Sequence, residues 1–289
     1  MAYRIFTDAT FDLNDEILQG LTPVTVIPMQ VEINGKNYTY GPDGNITAEN
    51  FYAQQRMGYY ATTSQISPQI YQEAFEPCLK SDIDILYLCF SSGLSGTIQS
   101  ANLCIGMLRE RYPTRKIECI DTRCASVGEG LLVLEAARKQ AEGMTLEDLT
   151  EWVQRFCMNV EHWFTVDEFD HLRHGGRVSS AVAVMGTMLQ IKPLLHVNDL
   201  GMLEVVGKPR GQRQAMASLL VRMEENWMPR LGRTVIIGHG GAPKKAEELA
   251  NMVRERFPEA DVWISEIGPV IGAHAGPGVL ALIYWGNDR

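Results

Sequence analysis

The sequence predicts an α/β protein made of two α/β domains, each a largely parallel sheet flanked by helices. Three observations lead there. At 289 residues the chain is longer than one hydrophobic core usually supports. Short strand-like apolar runs alternate with helical patterns along its length, as in βαβ units. Hydrophobic residues make up 45% and charged residues 21%, the ordinary balance of a packed globular chain. No low-complexity linker marks the division. The boundary is placed near residue 160, giving an N-terminal domain over 1–160 and a C-terminal domain over 161–289.

Strands are expected over 3–7, 24–33, 83–90, 116–121, 162–166, 234–238, 262–267 and 279–285. Helices are expected over 47–57, 68–80, 97–112, 128–142, 145–159, 180–190, 210–226 and 243–257. Three of these carry start signals. Ser67 stands where an N-cap belongs, ahead of Pro68 at the first helical position. Thr145 is followed three residues on by Asp148, and Pro243 opens a Lys/Glu-rich helix.

Chemistry concentrates between the elements. The run Ile267-Gly268-Pro269-Val270-Ile271-Gly272-Ala273-His274-Ala275-Gly276-Pro277-Gly278 predicts a stiff, tight loop between two strands, because glycine opens backbone angles and proline closes them. It holds His274 either as a functional group or as a turn residue satisfying a backbone carbonyl. Ser91-Ser92-Gly93-Leu94-Ser95-Gly96-Thr97 joins a strand to a helix, where free N–H groups, the helix dipole and hydroxyls suit an anion. Ser95 or Thr97 fits equally as the N-cap. Thr62-Thr63-Ser64-Gln65 precedes the Ser67 cap, so capping leaves Thr63 and Ser64 unexplained. A fourth polar loop, Asp121 to Gly130, links the run at 116–120 to the next helix. Loops at the carboxyl ends of parallel strands converge on one crevice, so the four together predict a shared small-anion site near the domain interface.

Several classes are disfavoured. A formal net charge of −9 weighs against nucleic acid and against an anionic bilayer. The cysteines at 78, 89, 104, 119, 124 and 157 form no zinc-type or Cys-x-x-Cys spacing, and no metal or cofactor is implied. The N-terminus shows no apolar signal core, and no run approaches the ~20 apolar residues of a membrane span, so a cytoplasmic location without stable membrane insertion is expected. Gly93-Leu94-Ser95-Gly96-Thr97 lacks the last glycine of a nucleophile elbow. Gly128-Glu129-Gly130 lacks the third glycine of a dinucleotide loop, and no P-loop occurs. The alternative left open is an acyl hydrolase or acyltransferase using Ser95 with His274.

Taken in order, these motifs resemble the DegV family of bacterial fatty-acid-binding proteins. The resemblance rests on Thr7-Asp8-Ala9-Thr10-Phe11-Asp12-Leu13, Thr63-Ser64-Gln65, the 91–97 and 121–130 loops, Leu172-Arg173-His174-Gly175-Gly176-Arg177-Val178-Ser179, Ile191-Lys192-Pro193, Lys208-Pro209-Arg210-Gly211 and the 267–278 run. It spans essentially the whole chain. One departure is Ala9, where the family usually has serine, which puts a hydroxyl contact from the first loop in doubt. The resemblance implies a non-catalytic carrier that binds a long-chain fatty acid and presents it to a cognate fatty acid kinase for conversion to acyl phosphate. It further implies that Thr63 and Ser95 hold the carboxylate, that His274 bonds it at the entrance, and that Arg177 faces the partner. The 13 methionines offer adaptable apolar side chains for a tail pocket. His171 and His174 are given no role.

Overall fold

The computed structural model describes residues 2–14, 16–178 and 191–289. The helix expected over 180–190, and Ser179 of the Gly-Gly-Arg motif, lie outside the described residues. A four-stranded parallel sheet runs in the order β2 (Thr25–Ile27), β1 (Tyr3–Asp8), β6 (Asp84–Cys89), β7 (Ile117–Asp121). A small antiparallel sheet runs β4 (Lys36–Tyr40), β3 (Met29–Ile33), β5 (Ala61–Ser64). A six-stranded sheet runs β10 (Leu203–Gly207), β9 (Leu194–Val197), β8 (Val160–Thr165), β13 (Leu280–Trp285), β11 (Thr234–His239), β12 (Asp261–Glu266).

The six-stranded sheet corrects one expectation. It is mixed: only β11–β12 is a parallel pair, and the other four neighbouring pairs are antiparallel. Two features cause this. β9 and β10 form a hairpin closed by Asn198–Met202, where Asn198 N donates to Met202 O at 2.9 Å and Gly201 supplies a φ of +71°. The last strand, β13, then inserts between β8 and β11 and runs against both. The strand expected over 24–33 is likewise two strands in two sheets. Pro28 lies between them and cannot donate to a ladder, so the chain leaves the parallel sheet there.

Helices α1 (Ala48–Arg56), α2 (Pro68–Lys80), α3 (Thr97–Arg111), α4 (Val127–Ala141), α5 (Leu146–Phe156), α7 (Gln212–Asn226) and α8 (Pro243–Arg256) fall close to their expected places. Ser67 Oγ accepts from Ile70 N at 3.4 Å and Thr145 Oγ1 from Asp148 N at 3.2 Å, so both caps form as the spacing suggests. The short helices α6 (Asp170–His174) and α9 (Pro269–Ala275) are additional. The second corrects the rigid loop expected over 267–278: Pro269 enters at the first helical position, and Gly276 ends the turn at φ +78°.

The position of α4 organises the core. Val127, Leu131, Leu132 and Val133 are all fully buried, packed with Ile5 and Leu88 of the parallel sheet and with Phe164, Ile236 and Ile283 of the mixed sheet. A helix buried on all sides, as α4 is from Val127 to Leu134, belongs between two layers, not on a surface. Its first turn comes close enough to β8 that a Cβ on Gly128 would overlap the His162 ring. Gly128→Ala should therefore lower stability by about 1–3 kcal/mol, read as a drop in the denaturant midpoint. A midpoint at or above wild type would show that His162 can yield at no cost.

Candidate functional site

Residues from all four polar loops line one internal cavity of about 240 Å³. The loops after β6 and β7 follow parallel strands as expected, whereas Thr63 itself lies within β5 of the antiparallel sheet, opposite Val31. At one end of the cavity stand Thr63, Gln65, Ser95, Arg177 and His274. At the other are Phe164, Val197, Leu203, Ala281 and Ile283, contributed by neighbouring strands of the mixed sheet. The lining is thus polar at the first five of these residues and largely apolar elsewhere, with Ser64, Ser126 and His162 as the further polar groups.

His274 sits in the last turn of α9, and its Nε2 is 2.9 Å from Thr63 Oγ1. Its Nδ1 is buried without a partner among the described residues and is covered by the Cα of Gly175, where a Cβ would overlap the ring. Burial, and secondarily the Arg177 charge, push the imidazole pKa down to about 4, so the ring is neutral near pH 7. A proton on Nε2 leaves only a lone pair unpaired at Nδ1, which costs less than an orphaned N–H. In that tautomer Nε2–H donates to Thr63, and the Thr63 hydroxyl proton is free to point into the cavity.

Ser95 corrects the capping expectation. The N-cap of α3 is Gly96, not Ser95 or Thr97. Ser95 Oγ accepts from Thr97 N at 3.2 Å and lies 2.8 Å from Thr97 Oγ1. With Thr97 as donor, the Ser95 hydroxyl proton is left for a guest. Arg177 is exposed, but its guanidinium turns back over the cavity mouth, where Nε donates to Leu94 O at 3.2 Å and Nη1 to Gly175 O at 2.5 Å. His174 stacks on Tyr60 with ring centroids 4.5 Å apart, and His171 is buried beneath Gly276.

Sequence reasoning missed two further groups. His162, fully enclosed on the apolar wall, accepts from Ala125 N at 3.2 Å and faces Val160 O at 2.8 Å. Burial holds its pKa well below the usual range, so it acts as a neutral spacer. Behind the polar end lies a cluster of buried acids. Thr10 Oγ1 is 2.5 Å from Asp8 Oδ1 and 2.7 Å from Glu129 Oε2, and Thr7 Oγ1 is 2.7 Å from Glu129 Oε1. A threonine has one hydroxyl proton, so the second of Thr10's contacts needs a proton on a carboxyl. Burial pushes Asp8 and Glu129 up, and Asp12 to about 8. The visible clue was Thr7-Asp8 and Thr10-Phe11-Asp12, with Glu129 between two glycines.

These acids set the sign of the pH response. Their folded pKa values exceed the unfolded ones near 4, so the native state holds protons that the unfolded chain has released. The stability they favour is present at low pH and is lost as pH rises towards the folded values. Glu129→Gln mimics the protonated acid. Its melting temperature should fall less than that of wild type from about pH 6 to about pH 9, and parallel declines would contradict the shared-proton arrangement.

A family model described as "Uncharacterised protein, DegV family" matches residues 2–287. A DegV domain-containing protein of Clostridium perfringens is 38% identical over 287 residues, 99% of this chain and 98% of the relative. Among solved structures, a fatty-acid-binding DegV family protein of Thermus thermophilus superposes with a TM-score of 0.86 at 29% identity, covering 99% of this chain and 100% of that one. The Streptococcus pneumoniae fatty acid kinase B3 protein, solved loaded with linoleic acid, superposes with a TM-score of 0.88 over 99% and 100% of the two chains. At 21% identity that second likeness concerns the fold.

Proposed function

The chain belongs to the DegV family, and from that premise we propose that it binds a long-chain fatty acid and presents it to a partner kinase for conversion to acyl phosphate. The observation that carries this reading is one cavity whose lining joins hydroxyl and imidazole groups to largely apolar walls. Thr63, Ser95 and His274 hold the carboxylate, the first two by donating hydroxyl protons and the third by orienting Thr63. A neutral imidazole avoids burying a charge when the site is empty. Each buried methylene contributes ~0.8 kcal/mol, so about twelve give roughly 10 kcal/mol gross before ordering costs. The tail supplies most of the affinity, and the head fixes direction. The solved Thermus thermophilus relative, a fatty-acid-binding protein, supports the ligand class.

In this reading residues 1–160 carry the carboxylate loops, and residues 161–289 carry the Gly-Gly-Arg loop and His274. Arg177 at the mouth is the group a partner would meet, and its planar fork suits a carboxylate or phosphate. The carrier does no chemistry of its own and works in the cytoplasm. The hydrolase alternative needs His274 as a base for Ser95, but His274 Nε2 pairs with Thr63 and Ser95 pairs with Thr97.

Ser95→Ala should weaken hexadecanoate binding by about 1.5–3 kcal/mol, with the protein still folded. Arg177→Ala should keep that affinity but lower kinase-dependent acyl phosphate formation at sub-saturating partner about thirtyfold. Binding titrations and turnover on the same two variants check both. Unchanged affinity in the first would remove Ser95 from the head-group site, and wild-type turnover in the second would remove Arg177 from docking.

A further inference from the structure

The first loop reaches the cavity without facing it. Asp12, only 4% exposed, follows β1 and adopts a φ of +49°, which is uncommon outside glycine. Its carboxyl group makes two contacts with opposite walls. Oδ2 accepts from Ser126 Oγ at 2.6 Å, and Oδ1 accepts from the backbone N of Gly268 at 2.9 Å. A third tie comes from its own carbonyl, which accepts from Ser265 Oγ at 2.6 Å.

Each contact controls a piece of the site. Ser126 lines the cavity and is itself held at positive φ, with φ +54° and ψ −142°. A serine keeps such a strained backbone only where its surroundings over-determine it, and the Asp12 bond at the base of the side chain does so. Gly268 is the N-cap of α9, a helix with no capping side chain of its own. Six residues further along the same rigid turn stands His274, about 9 Å up the helix axis. A shift at Gly268 is therefore carried to the imidazole and, through it, to Thr63.

We propose that Asp12 is a positioning residue for the ligand site, one carboxyl group fixing Ser126 on one wall and the start of α9, hence His274, on the other. A carboxyl buried with no cation beside it among the described residues is costly, and burial is the main cause of its raised pKa. Ser126 and Gly268 are the groups that bond to the carboxyl, and Ser265 bonds the backbone carbonyl of the same residue. The proposal rests on the fatty-acid reading for the identity of the guest, but not for the geometry it describes.

The test separates the two. Asp12→Ala should move the His274 ring nitrogen resonances of the ligand-free protein and weaken hexadecanoate binding about tenfold. Asp12→Asn keeps an acceptor for Gly268 N and a polar partner for Ser126, and it should restore both readouts. Ser126→Ala removes one limb only; it should weaken binding about threefold with the His274 resonances unmoved. A folded Asp12→Ala protein with wild-type resonances and affinity overturns the proposal. Should that variant not fold, Asp12→Asn with displaced His274 resonances, or Ser126→Ala with wild-type affinity, overturns it. If the wild type binds no fatty acid at all, the carrier reading falls, while the resonances of the empty protein still decide the role of Asp12.

Discussion

Everything in this molecule is arranged around one buried helix. With α4 buried on every side from Val127 to Leu134, the parallel sheet and the mixed sheet each close over it, and the loops after β6, β7 and β12 are carried into one seam. Gly128 and Gly130 let the first turn of α4 approach β8 and the first loop more closely than any larger residue permits. The same turn brings Glu129 under Thr7 and Thr10, so the polar support of the site and the apolar packing of the core share a single element. Loss of packing here would move the seam, not only lower the stability.

Apart from Arg177 at the mouth, the polar end of the cavity works without a fixed charge on its described lining. Desolvation keeps His274 neutral and raises the acids behind it, so protons, not counter-ions, neutralise the interior. Hydroxyls that hold a spare proton are the natural donors to an entering carboxylate, and hydrogen bonds to a charged acceptor are roughly twice as strong as neutral ones. Arg177 is the single cation on the described lining, and it is engaged by two carbonyls at the mouth. The site is thus built to accept an anion at its entrance while leaving the deeper walls apolar.

Much of this was legible in the sequence. The parallel sheet, seven of the helices, the Ser67 and Thr145 caps and the convergence of four polar loops follow from apolar periodicity and turn chemistry. What local pattern could not supply was tertiary. The β9–β10 hairpin is made of strands of four and five residues, too short to stand out, and β13 takes its antiparallel place between β8 and β11, which no local pattern announces. The turn of helix in α9 was hidden by its glycines, which read as loop but are needed where Gly272 meets the Tyr52 hydroxyl. His162 looked like one more strand residue, since its role depends on the backbone of Ala125, 37 positions earlier.

The central claim is that the cavity holds a long, apolar carboxylate non-covalently. Mass spectrometry of the purified protein, under native and then denaturing conditions, tests it most directly. The account predicts a bound mass matching a free long-chain fatty acid that is released intact on denaturation. An acyl adduct surviving denaturation would instead make Ser95 a nucleophile. A protein that stays empty when offered hexadecanoate would contradict the assignment altogether.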